Sequence, residues 1–127
     1  MEEYKKKKIL IVDDEEYYLK EVSKLVRQRG YIPIEIANAD SAITQINRGL
    51  EYDLAILDSH MYAEGVEYHG GELVAKISKK KHPKTKVIMI SAWCPDSRED
   101  IDVLLSAFDY ELNLSRNIKR YLENYEE

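Results

Sequence analysis

The sequence predicts an α/β fold built on a parallel sheet. Short apolar runs alternate with helix-length segments along all 127 residues. Three of the runs end in polar residues where a strand should stop. Ile9-Leu10-Ile11-Val12 enters Asp13-Asp14-Glu15-Glu16, Leu54-Ala55-Ile56-Leu57 enters Asp58, and Val87-Ile88-Met89-Ile90 enters Ser91-Ala92. In an open α/β sheet, ligands bind outside the carboxyl ends of the strands. These endings are therefore expected to converge on one pocket. Carboxylates gathered in one concavity repel unless a hard divalent cation sits among them. The expected pocket binds Mg²⁺ and handles a phosphoryl group.

The elements follow in order. Strand one is expected over residues 8–12. A helix over 17–29 places Tyr18, Val22, Leu25 and Val26 on one face and stops at Gly30. Strand two covers 32–37, and Pro33 suits an edge. Helix two covers 40–47 and strand three 53–57. A long loop, 59–68, leads through Gly70 and Gly71 to helix three at 71–80, which Pro83 cannot continue. Strand four covers 86–90. Asp96 or Ser97 is read as the cap of a fourth helix running to Ser106, with Glu99 or Asp100 completing a capping box. The alternation Tyr110-Glu111-Leu112-Asn113-Leu114 reads as strand five. Ser115 is read as the cap of a fifth helix with Ile118, Tyr121 and Leu122 on one face.

Composition narrows the classes. The length suits one domain, residues 1–127. At 44% hydrophobic and 34% charged, the chain is of the folded, globular kind. No apolar run approaches the ~20 residues that span a bilayer. Cys94 is the only cysteine, which suits a reducing cytoplasm. A formal charge of −5 argues against nonspecific nucleic-acid binding. The lysine clusters 5–8 and 79–81 read as solvated element ends.

Asp13-Asp14, Asp58, Ser91-Ala92 and Tyr110, each at its expected place, resemble the receiver domain of two-component response regulators. The resemblance covers nearly the whole chain. It implies a flavodoxin-like doubly wound sheet of order 2-1-3-4-5 with five helices. It implies phosphotransfer rather than conventional enzyme turnover. Asp58 would accept the phosphoryl group from a phosphohistidine on a histidine kinase or histidine phosphotransfer protein. Asp13, Asp14, Asp58 and the His60 backbone carbonyl would hold Mg²⁺. Ser91 would offer its hydroxyl to the phosphoryl oxygens, and Tyr110 would be the switch aromatic. The signal would pass to a downstream protein through the helix 4–strand 5–helix 5 face. An added phosphoryl group brings about 1.5–2 negative charges, enough to bias a two-state loop.

The chain departs from that pattern in four places. The family carries a lysine, usually followed by proline, three residues after the switch aromatic; Asn113 and Leu114 stand at those positions. Asn113 can donate a hydrogen bond but brings no charge, and Arg116 is the nearest candidate cation. The loop after Asp58 carries an insertion, residues 63–69. Trp93 stands two residues past Ser91. The turn before strand five, Ser106-Ala107-Phe108, lacks glycine. The missing lysine keeps a second reading open: a degenerate receiver serving as a phosphorylation-independent protein-binding module. A flavin site is disfavoured because Asp13-Asp14-Glu15-Glu16 would repel a phosphate. A metal-dependent hydrolase would place a second Asp where His60 stands.

Overall fold

Successive residues of a strand point to opposite faces of the sheet, and here both faces are covered, which is why the strands read as continuous apolar runs. The computed structural model describes residues 6–92 and 98–123. The strands β1 (Lys8–Val12), β2 (Ile32–Ile36), β3 (Leu54–Asp58), β4 (Lys86–Ser91) and β5 (Val103–Ser106) form one parallel sheet ordered β2-β1-β3-β4-β5. Among the described residues four helices accompany them: α1 (Glu16–Gln28), α2 (Ala39–Asn47), α3 (Gly70–Lys81) and α4 (Glu111–Leu122). Ile9, Ile11, Ile56 and Ile88 face α1 and α4, packing with Val22, Val26, Leu114 and Ile118. Leu10, Val12, Leu57 and Met89 face α2 and α3, packing with Ala42, Ile46, Val74 and Ala75. Pro33 does lie on an edge strand, β2. Asn38 caps α2, its Oδ1 accepting from the Ser41 N–H at 2.7 Å.

The carboxyl-terminal third differs from the sequence reading. The fold has four helices in the described residues, not five. Residues 98–102 carry no helix, and 103–106 form β5 instead of the end of a helix. Asp96 and Ser97, the expected cap, lie outside the described residues. The strand expected at Tyr110–Leu114 is the start of α4, so Tyr110 and Asn113 are not strand residues. Two competing periodicities explain the error. Val103-Leu104-Leu105 is too short to tell strand from helix by spacing alone. The alternation at 110–114 is real, but Leu114, Ile118 and Leu122 recur every four residues and are all buried, and that ladder sets the structure.

A parallel crossover usually carries a helix. Here side chains pin the entry to β5. Asp102 Oδ2 accepts from the Val87 N–H at 2.8 Å and from Lys79 Nζ at 2.7 Å, while the Asp102 N–H donates to the Val87 carbonyl at 2.9 Å. These contacts place β5 in register, with Ser106 opposite Ser91.

A helix and a strand make opposite forecasts for Leu112 and Leu114. On a strand both share one face. On α4 Leu114 is 0% exposed and Leu112 62%. Leu114→Ala is expected to cost about 2–5 kcal/mol in urea denaturation. Leu112→Ala should stay within about 0.5 kcal/mol of the parent. Equal costs would restore the strand assignment.

Candidate functional site

The strand ends bring the acidic residues together. Asp13 and Asp14 follow β1 directly, and Asp58 closes β3, the neighbouring strand. One carboxylate oxygen from each of the three lies within 4.8 Å of the others. Asp13 Oδ1 accepts the Glu15 N–H at 2.9 Å, which fixes the turn into α1. Burial pushes the Asp13 carboxyl up to about 7, with the Asp58 charge adding to it and the Glu15 N–H opposing. Burial also pushes Asp58 up to about 6; the His60 backbone N–H opposes, and the Asp14 charge adds. The donors are hard oxygens and the cluster lacks positive charge. That chemistry fits a divalent cation of the Mg²⁺ kind.

A cavity of about 240 Å³ opens beside Asp13 and Asp58. Its acidic wall is completed by Glu15, with His60 at the edge. Its apolar wall is Tyr18, Val22, Ile90, Ala107, Phe108 and Tyr110. Among the described residues no Lys or Arg lines it. The Tyr110 phenol is pushed up to about 12 by burial, with the Glu111 and Glu21 charges adding, so it stays protonated.

Ser91 ends β4 but does not line this cavity. Its hydroxyl accepts from Ser59 Oγ at 2.5 Å, with both residues buried. Ser59 extends the β3–β4 ladder past Asp58, its N–H donating to the Ile90 carbonyl at 3.1 Å. The first turn of α3 lies directly beneath. The Gly71 N–H donates to the Ser59 carbonyl at 3.3 Å, and a Cβ on Gly71 would stand 2.6 Å from Ser59 Cα. Only glycine admits that approach.

The insertion is a tied loop. Ala63 and Glu67 form an antiparallel bridge, with Gly65 at φ +88 and Glu67 at φ +50 making the reversal. Tyr68 stacks on His60 with centroids 4.9 Å apart and planes 8° from parallel, so the loop braces a residue at the cavity edge. His69 pairs instead with Glu72, Nδ1 to Oε2 at 3.6 Å.

The expected site residues thus divide. Asp13, Asp14 and Asp58 converge. Ser91 sits at the same end of the sheet, turned to Ser59. Tyr110 lines the cavity, but from the start of α4. Asn113 is exposed on α4, its carbonyl accepting from Asn117 Nδ2, and does not line the cavity. Arg116 lies in a separate surface depression with Lys119 and Arg120. Trp93 and Cys94 lie outside the described residues. Sequence reasoning missed Ser59, and it missed Ser106, the true end of strand five. The strand three–strand four register would have flagged Ser59 as the residue opposite Ser91.

The raised acids give a pH forecast. A carboxyl whose folded pKa exceeds its unfolded value, about 3.9, contributes stability below that value and loses it as pH rises through the folded pKa. For Asp13 and Asp58 the loss runs from about pH 4 to pH 7. Asp13→Asn keeps the Oδ1 acceptor and removes the charge facing Asp14, Glu15 and Asp58. In metal-free buffer at pH 8 it is expected to raise Tm by about 4 °C, roughly 1 kcal/mol. At pH 4 thermal melts should coincide. A gain of equal size at both pH values would show that charge is not its cause.

Comparison with known proteins agrees with this geometry. The family model described as "Response regulator receiver domain" matches residues 9–120. No curated protein is significantly similar in sequence. Among solved structures, the response regulator protein TrrA from Thermotoga maritima, in complex with Mg²⁺-BeF, is 28% identical with a TM-score of 0.76, covering 91% of this chain and 99% of that one. A response regulator receiver domain protein from Methanospirillum hungatei is 25% identical with a TM-score of 0.74, covering 91% of this chain and 93% of that one. With this sheet order and the three carboxylates at its carboxyl edge, the chain belongs to the response regulator receiver domain family.

Proposed function

We propose that this receiver domain accepts a phosphoryl group on Asp58 and passes the change to a protein partner. The convergence of Asp13, Asp14 and Asp58 at adjacent strand ends carries the reading. Asp13, Asp14, Asp58 and the His60 carbonyl would hold Mg²⁺, which when bound supplies neutralising charge for the carboxylates and the phosphoryl oxygens. An Asp58 carboxylate oxygen attacks phosphorus, the P–N bond to the donor imidazole breaks, and the released ring nitrogen takes a proton from solvent. Positioning and charge neutralisation dominate such a transfer. The apolar wall limits water at the acyl phosphate, and Ser91 offers its hydroxyl to the phosphoryl oxygens.

The donor is a histidine kinase or histidine phosphotransfer protein. The output face consists of β5 and α4 with residues 98–102, since no helix lies between β4 and β5 among the described residues. Likewise, no helix among them is long and apolar enough to cross a membrane. Ser106-Ala107 take the positions at the end of strand five where the family pattern carries lysine and proline, and Val103 takes the aromatic position. The cation is therefore missing at Ser106, not at Asn113. Any answering motion of Tyr110 comes through the start of α4.

Two experiments test this. Intact-mass spectrometry after phosphoramidate treatment with Mg²⁺ should show one added phosphoryl group, absent in Asp58→Asn and abolished by EDTA. Labelling that persists in Asp58→Asn would mean another residue accepts. No labelling of the parent would favour the phosphorylation-independent binding module.

Restoring the missing charge is the second test. Ser106→Lys should tighten beryllofluoride binding about tenfold, the equivalent of ~1.4 kcal/mol. Asn113→Lys, exposed on α4, should leave it unchanged. The reverse pattern in a calorimetric titration would return the cation position to Asn113.

A further inference from the structure

We propose that the cavity beside Asp58 is a binding site for a small organic cation, an ammonium group carried on a short apolar or aromatic stem. The cation would lie beside any phosphoryl group on Asp58, so its effect on that group rests on the phosphoacceptor reading. Three observations carry the site. Its walls are of two kinds, with Asp13, Glu15 and Asp58 on one side and Tyr18, Phe108 and Tyr110 on the other. Among the described residues no Lys or Arg lines it, and residues 93–97, which follow its lining residue Ala92, contain neither. Tyr110 lines the cavity at only 5% exposure, and its hydroxyl has no hydrogen-bond partner among the described residues. Buried polar groups are ordinarily paired, so that phenol calls for a polar group on whatever fills the space.

Charge and shape select the class of ligand. Asp13, Asp14, Glu15 and Asp58, when ionised, outnumber the charge of one divalent cation by two. An ammonium group in the remaining space offsets part of that excess without displacing the metal. Beside apolar walls its attraction to the carboxylates is stronger than in open water. The faces of aromatic rings also attract cations, so both walls favour the same charge. An anion would be repelled by the carboxylates, and an uncharged apolar molecule would bury them without a partner. The cavity, about 240 Å³, has the room of about eight waters at ~30 Å³ each, which matches the size of benzylammonium. The exposed Tyr18 and Phe108 leave its mouth open.

Benzylammonium is the probe, and benzyl alcohol is its uncharged counterpart of nearly equal size. In NMR titrations with saturating Mg²⁺, benzylammonium should bind with a Kd of about 0.1–1 mM. Benzyl alcohol should bind at least about tenfold more weakly, since it lacks the charge. Glu15→Gln removes one charge and Tyr110→Phe removes only the hydroxyl; each should weaken benzylammonium about three- to tenfold. Leu112→Ala, on the exposed face of α4 outside the cavity, should bind it as the parent does. Saturating benzylammonium should tighten beryllofluoride binding, and by linkage beryllofluoride should tighten benzylammonium by the same factor. Butylammonium, the side chain of lysine, separates the sources. If it binds as tightly as benzylammonium, the cation is a lysine of a docking protein; a preference for benzylammonium assigns a free arylalkylamine. No binding of benzylammonium, equal binding of benzyl alcohol, or unchanged binding in both Glu15→Gln and Tyr110→Phe would overturn the inference, and phosphoryl labelling would still report on Asp58. Benzylammonium binding to a parent protein that takes neither label nor beryllofluoride would overturn the phosphoacceptor reading and leave the cation site standing.

Discussion

Repulsion among Asp13, Asp14 and Asp58 is the constraint on which the upper edge of the molecule depends. Nothing about an isolated loop would hold three carboxylates together. They are held because β1 and β3 are neighbouring buried strands of one parallel sheet, and because each apolar run stops at the same level. The sheet therefore forces the charges together and away from water, and the raised Asp13 and Asp58 pKa values record a cost that is mainly burial, with the neighbouring charges adding. A divalent cation relieves that cost. The proposed metal affinity, the proposed phosphoryl acceptance and the expected pH-dependent stability are on this view three expressions of one electrostatic problem.

The same constraint separates rigid from responsive parts. Gly71 lets the start of α3 approach the backbone of Asp58 and Ser59 more closely than a side chain would allow. The Asp102 network pins the entry to β5. Among the described residues, the cavity is bordered by an exposed apolar rim of Tyr18 and Phe108, 40% and 83% exposed. The tied insertion braces His60 from outside through Tyr68.

Much of this was legible in the sequence, and the failures are instructive. Ile9 to Asp14, Leu54 to Asp58 and Val87 to Ser91 read correctly because a buried strand is a continuous apolar run and its functional end is an abrupt polar stop. The edge strand β5 offers no such contrast: Val103-Leu104-Leu105 runs into Ser106 and Ala107. A strong alternation at Tyr110–Leu114 then drew the assignment seven residues too far. The ladder Leu114, Ile118, Leu122 was the better signal, since a helix face must persist over several turns whereas alternation over five residues arises by chance. Ser59 carried no signal of its own. A serine beside an aspartate is unremarkable until pairing of β3 with β4 places it against Ser91.

Moving strand five changes the chemical argument as well as the topology. With Asn113 in the pocket, an amide would have replaced a cation and kept a hydrogen bond. With Ser106 at the strand end, its hydroxyl accepts from the Phe108 N–H and the pocket has no positively charged Lys or Arg among the described residues. A phosphoryl dianion accepted beside three carboxylates would then depend on a divalent cation and on neutral donors. In such a site each neutral hydrogen bond carries a larger share of the stabilisation than it would beside a lysine.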